Sequence, residues 1–144
     1  MFKSILLPID LSSEESWRKA APAAVNIARH ENAPLHVVTV VPDIGASMVG
    51  VYFEPGFEEK ALHDTGERLN EWVGENVPDD IEVHPHVLHG HVYDEIMRAA
   101  DRLEIDAIVM GSHRPELKDY LLGPNAARVV RHANQSVFVI RGDA

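Results

Sequence analysis

The stretch from 108 to 127, IVMGSHRPELKDYLLGPNAA, gathers most of the residues in this 144-residue chain that could do chemistry. An apolar run ends at Met110, and Gly111 lets the backbone turn there without a Cβ clash. Ser112 follows with a hydroxyl, His113 and Arg114 bring donors or positive charge, and Pro115 closes the group. A second glycine, Gly123, opens the next helix. Pro124 carries no N–H, which costs little in a first helical turn, so backbone donation there begins at Asn125 and Ala126. A helix N-terminus fed by glycine favours an anion, and two such backbone elements side by side would cradle a polyphosphate. Isolated glycines at strand and helix ends are also ordinary turns, so the weight rests on the combination.

Other constellations carry less. Asp10 ends the first apolar run, where it can either accept from a ligand hydroxyl or cap the helix that follows. His84, His86, His89 and His91 fall within eight residues, and the first two share one face of a strand. No cysteine or paired carboxylate completes a metal set there, and Pro78 and Pro85 mark an edge strand, so surface histidines are expected and no metal held by side chains. His113, inside the glycine loop, is expected at the ligand. Ser112, His113 and Asp119 do not make a hydrolase: there is no GxSxG elbow, and loop neighbours rarely converge as a triad. No catalytic residue is assigned.

The composition narrows the partners. The chain holds 23 acidic residues against 13 basic ones, a net charge of −10, with nine Arg and four Lys. Such a surface repels nucleic-acid backbones and anionic membranes, so a phosphate ligand would have to be held locally. Acid-rich, lysine-poor composition suits high salt or simply an acidic bacterial protein. Cysteine is absent, which removes disulfides and thiolate chemistry. The N-terminal run MFKSILLPID meets Pro8 and Asp10 too soon for a signal peptide or a span, so a cytoplasmic protein without membrane insertion is expected.

Elements able to position these residues alternate along the chain. Apolar or β-branched runs at 3–9, 35–41, 81–88, 107–110 and 136–140 read as strands. Helices are expected from Ser12 or Ser13 to about His30, with a break or kink at Pro22, and over 57–76, 93–103 and 125–132. Trp17 and Trp72 fall in two of these helices as packing residues. Residues 42–56, with Met48, Val49, Val51, Tyr52 and Phe53, read as a long loop. The alternation predicts a single α/β domain over 1–144: a three-layer sandwich with a parallel sheet and helices on both faces. Its ligand crevice lies beyond the strands' carboxyl ends, where the order reverses.

The block GSHRPELKDYLLGPNAARVVRHANQSVFVIR resembles the C-terminal signature of the universal stress protein family, and KSILLPIDLS and LHVVTVVP resemble its first two strands. Gly111 and Gly123 match the outer glycines of the nucleotide-binding branch. The middle glycine is Arg114 here, the interval to Gly123 is eight residues rather than nine, and the following hydroxyl residue is Pro124. The variant is similar to short members from halophilic proteobacteria, one of them transporter-associated.

The resemblance implies a Rossmann-like five-stranded sheet in the order 3-2-1-4-5 that binds ATP with Mg²⁺ on its phosphates. Pro8 and Asp10 would flank the adenosine, with Asp10 at the ribose hydroxyls. Val40 and Val41 would meet the adenine. Met110, Gly111, Ser112, His113, Arg114 and Pro115 would border ribose and phosphates, and Gly123, Pro124, Asn125 and Ala126 would hold the outer phosphates. It also implies a homodimer through the last strand, assembly to a tetramer being left open, and a regulated protein partner such as a membrane transporter.

Two functions compete on this evidence: a nucleotide-dependent regulatory module with at most slow ATP hydrolysis, and a stress protein that binds a partner without nucleotide. Arg114, the shortened interval and Pro124 favour the second. A phosphoacceptor receiver is rejected, since Asp10 stands alone at its strand end and the fifth strand ends in Arg141 rather than lysine. A nucleotide α-hydrolase is rejected because the SGGxDS-like phosphate loop after strand one is missing.

Overall fold

A computed structural model describes residues 1–42, 56–112 and 124–142. The loop residues 43–55 and the signature residues His113, Arg114, Pro115 and Gly123 lie outside the described residues, as does Asp119.

Five strands form one sheet: β1 (Ile5–Pro8), β2 (Leu35–Pro42), β3 (Val83–Gly90), β4 (Ala107–Gly111) and β5 (Ser136–Ile140). Their order is β3-β2-β1-β4-β5 and every pairing is parallel, as the alternation and the resemblance predict. β1 is central and buried on both faces. Ile5, Leu6 and Leu7 are each 0% exposed, which is why the segment reads as an unbroken apolar run rather than an alternation.

Among the described residues four α-helices cover the sheet: α1 (Ala20–Glu31), α2 (Phe57–Asn76), α3 (Val92–Arg102) and α4 (Pro124–His132). Leu7, Val37 and Val109 pack with α1 and α2 residues such as Ala24, Leu69 and Trp72 on one face. On the other, Leu6, Val38 and Ile108 pack with Ile96, Ala99 and Val129 of α3 and α4. Burying each of these large aliphatic side chains stabilises the fold by roughly 1.5–3 kcal/mol. Trp17 and Trp72 do pack, meeting edge to face with centroids 5.5 Å apart. Among the described residues no helix is long and apolar enough to cross a membrane.

One expectation for the helices holds and one strand boundary moves. The first helix is broken, as Pro22 led us to expect, although the break falls ahead of Pro22. A 3-10 turn, Glu14–Ser16, precedes α1, and Pro22 sits within the first turn of α1, where its missing N–H costs little. Ser13 occupies the turn's N-cap position without a side-chain cap bond, while the Ser16 hydroxyl donates to the Ser13 carbonyl at 2.7 Å, with the Asp10 carbonyl 3.1 Å away, and accepts from Asp10 N–H at 2.9 Å. β3 starts two residues later than the apolar pattern suggested, because Ile81 packs into the core from a turn bonded to Pro78 and the ladder opens with Val83 opposite Leu35.

The sheet is tied at its amino edge by Asp106. Its carboxylate accepts from Lys3 N–H at 2.8 Å and from Ser4 N–H at 3.1 Å, joining the residues that lead into β1 to those before β4. Asp106→Asn keeps one acceptor oxygen and loses the charge, and is expected to lower unfolding free energy by about 1 kcal/mol in urea titrations. An unchanged midpoint would mean that solvent satisfies these amides equally well.

Candidate functional site

The chain leaves β1 toward β2 and β3 on one side, then returns to add β4 and β5 on the other, so the strand order reverses between β1 and β4. Connecting segments diverge there and leave a crevice at the strands' carboxyl ends. Its volume is about 660 Å³, within the ordinary range for small-molecule sites.

Nine of the residues singled out from the sequence line this one crevice: Pro8 and Asp10 after β1, Val40 and Val41 of β2, Met110 and Gly111 of β4, and Pro124, Asn125 and Ala126 of α4. They lie up to 118 positions apart in sequence and are brought together by the parallel topology alone. Ser112 is placed differently. Its amide donates to the Ile140 carbonyl at 3.0 Å, extending the β4–β5 ladder, and it is not among the described lining residues.

Asp10 reconciles its two readings. Oδ1 accepts from Ser12 N–H at 2.9 Å and its carbonyl from Ser13 N–H at 3.0 Å, which fixes the turn. Oδ2 makes no hydrogen bond to a described residue, and the side chain is exposed at the crevice, so one carboxylate oxygen remains to accept from a ligand.

Gly111 has a role the sequence did not disclose. A Cβ built on it would lie 2.8 Å from the Ser16 carbonyl oxygen and 3.5 Å from that of Glu15. The end of β4 therefore passes directly against the 3-10 turn, whose neighbouring Ser12, Ser13 and Ser16 also line the crevice. Opposite the strand ends, α4 opens with Pro124, so the first unpaired amides belong to Asn125 and Ala126.

Sequence reasoning missed the wall supplied by α2. Thr65 and Arg68, one turn apart, line the crevice with Thr39 of β2. Their i, i+3 spacing puts them on one helix face, but nothing local says that this face meets the β1–β2 end.

The histidines of β3 have neighbours of their own. His84 contacts Glu82 at 2.6 Å, His89 pairs with Glu58 at 2.9 Å, and His86 meets His36 of β2 at 2.9 Å. Among the described residues no group of three or more His, Asp or Glu side chains is placed to hold a metal ion.

Comparison with known proteins agrees with this architecture. Universal stress protein G of Shigella flexneri is 34% identical over 145 residues, covering 98% of this chain and all of that protein. The structure of the Methanocaldococcus jannaschii protein MJ0577 superposes with a TM-score of 0.75 at 23% identity, over 100% of this chain and 99% of that one. A universal stress protein from Archaeoglobus fulgidus, solved in complex with dAMP, superposes with a TM-score of 0.65 at 22% identity, over 96% of this chain and 97% of that one. The family model described as "Universal stress protein family" matches residues 1–141, and the chain belongs to that family.

Proposed function

We propose that this chain is an adenine-nucleotide-binding regulatory module that takes ATP with Mg²⁺ and signals its loaded state to a protein partner. The observation that carries this reading is the convergence of Pro8, Asp10, Val40, Val41, Met110, Gly111, Asn125 and Ala126 on one crevice at the topological switch point. Apolar side chains from β2 and β4 suit a base, the Asp10 oxygen that no described residue engages suits a ribose hydroxyl, and the first amides of α4 suit phosphate. The dAMP complex of a relative supports the ligand class.

Asp10 is the only carboxylate among the described lining residues, so Mg²⁺ would be held chiefly by phosphate oxygens. Among the described residues the same scarcity leaves no second acidic group at the crevice to activate water, and hydrolysis is expected to be slow. Among the described residues β5 pairs only with β4, which leaves one backbone edge to join a second copy as a homodimer. A transporter is the partner class drawn from the sequence resemblance, and the net charge of −10 suits work in concentrated salt.

The test is a census of bound molecules: purify the full chain without added nucleotide, denature it and chromatograph the supernatant. Stoichiometric ATP, reduced about tenfold by Asp10→Ala, which removes the carboxylate oxygen offered to the ribose, supports the reading. No nucleotide, together with no binding of added Mg-ATP by calorimetry, refutes it. That result would favour the nucleotide-independent reading, for which the specific observation is Pro124 at the first position of α4, where it donates no amide.

A further inference from the structure

Arg68 is the only cation among the described residues that line the crevice. Helix α2 offers it the usual partners, with Asp64 four residues before and Glu71 three after. Elsewhere this spacing does form ion pairs, Arg18 with Glu15 and Arg98 with Glu95. Arg68 makes no ion pair or hydrogen bond with a described residue, and it is exposed at an opening of about 660 Å³. In a chain with ten more acidic than basic residues, a guanidinium at a crevice, with its five donors uncommitted among the described residues, offers an anion a partner there. Thr65 one turn earlier and Thr39, 5% exposed, add hydroxyls to the same wall.

The placement complements α4. α4 packs on one face of the sheet and α2 on the other, so the crevice meets backbone donors from one side and a guanidinium from the other. We infer that Arg68 is a specificity-determining residue that receives a phosphate of the bound nucleotide, so that the crevice selects phosphorylated nucleotides over the bare nucleoside. The planar fork of arginine matches phosphate oxygens two at a time, which lysine does not. The inference rests on the nucleotide reading above and adds a residue from outside the strand-end set.

The experiment is calorimetry on the nucleotide-free full chain with Mg-ATP, AMP and adenosine, for wild type, Arg68→Gln and Arg68→Lys. Arg68→Gln is expected to weaken Mg-ATP by about tenfold, the scale of one charge-assisted hydrogen bond, and adenosine by less than about twofold. It should also flatten the salt dependence of ATP binding, with Arg68→Lys recovering part of the affinity. Equal weakening of ATP and adenosine would overturn the inference, because the side chain would then be packing on the base or ribose. Unchanged ATP affinity would overturn it too. A wild type that binds none of the three ligands refutes the nucleotide reading itself, an outcome distinct from a wild type that binds ATP and an Arg68→Gln variant that binds it equally.

Discussion

Gly111→Val is expected to lower unfolding free energy by about 2–4 kcal/mol in the absence of any nucleotide. The Cβ alone would stand 2.8 Å from the Ser16 carbonyl oxygen, closer than carbon and oxygen approach without bonding, and 3.4 Å from the Ser16 carbonyl carbon. The atoms it meets are backbone, held in the 3-10 turn by Ser16 N–H to Ser13 and by Trp17 N–H to Glu14, both at 3.0 Å. They cannot swing away as a flexible side chain would. Either β4 withdraws from β5, to which Gly111 is paired opposite Ile140, or the turn moves and takes the crevice's serines with it. The methyl groups of valine add bulk to whichever rearrangement occurs. Gly111→Ala should show the same defect at smaller size. The check is a urea titration of both variants after removal of nucleotide. Loss of ATP binding with an unaltered unfolding midpoint would mean that the glycine serves the ligand only and that the turn yields freely.

That result bears on how a sequence signature is read. The first glycine of the 111–123 pattern looks like a concession to phosphate, yet its nearest neighbour is the chain's own backbone from ninety-five residues earlier. Such a close approach is tertiary and leaves no local trace. What was legible is what depends on local pattern. α2 and β5 have the bounds their sequence suggested, because twenty residues free of proline and a five-residue β-branched run have few alternatives. The strand-end crevice was legible because topology, rather than side-chain detail, decides where a parallel sheet opens. Ile81 misled because an apolar residue plugging the core from a turn looks like the start of a strand. The break in the first helix was expected from Pro22, but its place ahead of Pro22 was not, because a pattern of Ser and Glu that suits a helix start suits a 3-10 turn held by the Ser16 hydroxyl equally well. Thr65 and Arg68 were invisible because their role depends on which strand end α2 lies across.

His36 gives the second large effect. It lies on β2 opposite His84, with its ring stacked against His84 at 4.9 Å and against His86 at 5.2 Å. Alternation places it on the same face as Val38, the face covered by α3. Burial, then His86 and His84, hold its imidazole down to about 4 against an ordinary 6.5, with Glu82 opposing weakly; His86 is lowered as well, by burial first and then by Arg102 of α3 and His84. In the folded state these rings therefore stay neutral where the unfolded chain binds protons. Between pH 6.5 and about 4 the unfolded state binds more protons, so stability must fall as pH falls through that window and stay level above it. The full shift would correspond to about 3 kcal/mol, but the ring is only partly buried, and screening reduces the expected loss to about 1–2 kcal/mol. The carboxylates with lowered values, Glu31 and Asp80, titrate at the acid end of this range or below it, which separates their contribution from that of the imidazoles. His36→Leu removes the central ring of the stack and should flatten the stability profile between pH 6.5 and 4.5. Urea titrations at pH 7, 5.5 and 4.5 provide the comparison. A variant that loses as much stability as wild type over that interval would show that water reaches the imidazole cluster and that β3 is held to β2 without regard to its charge.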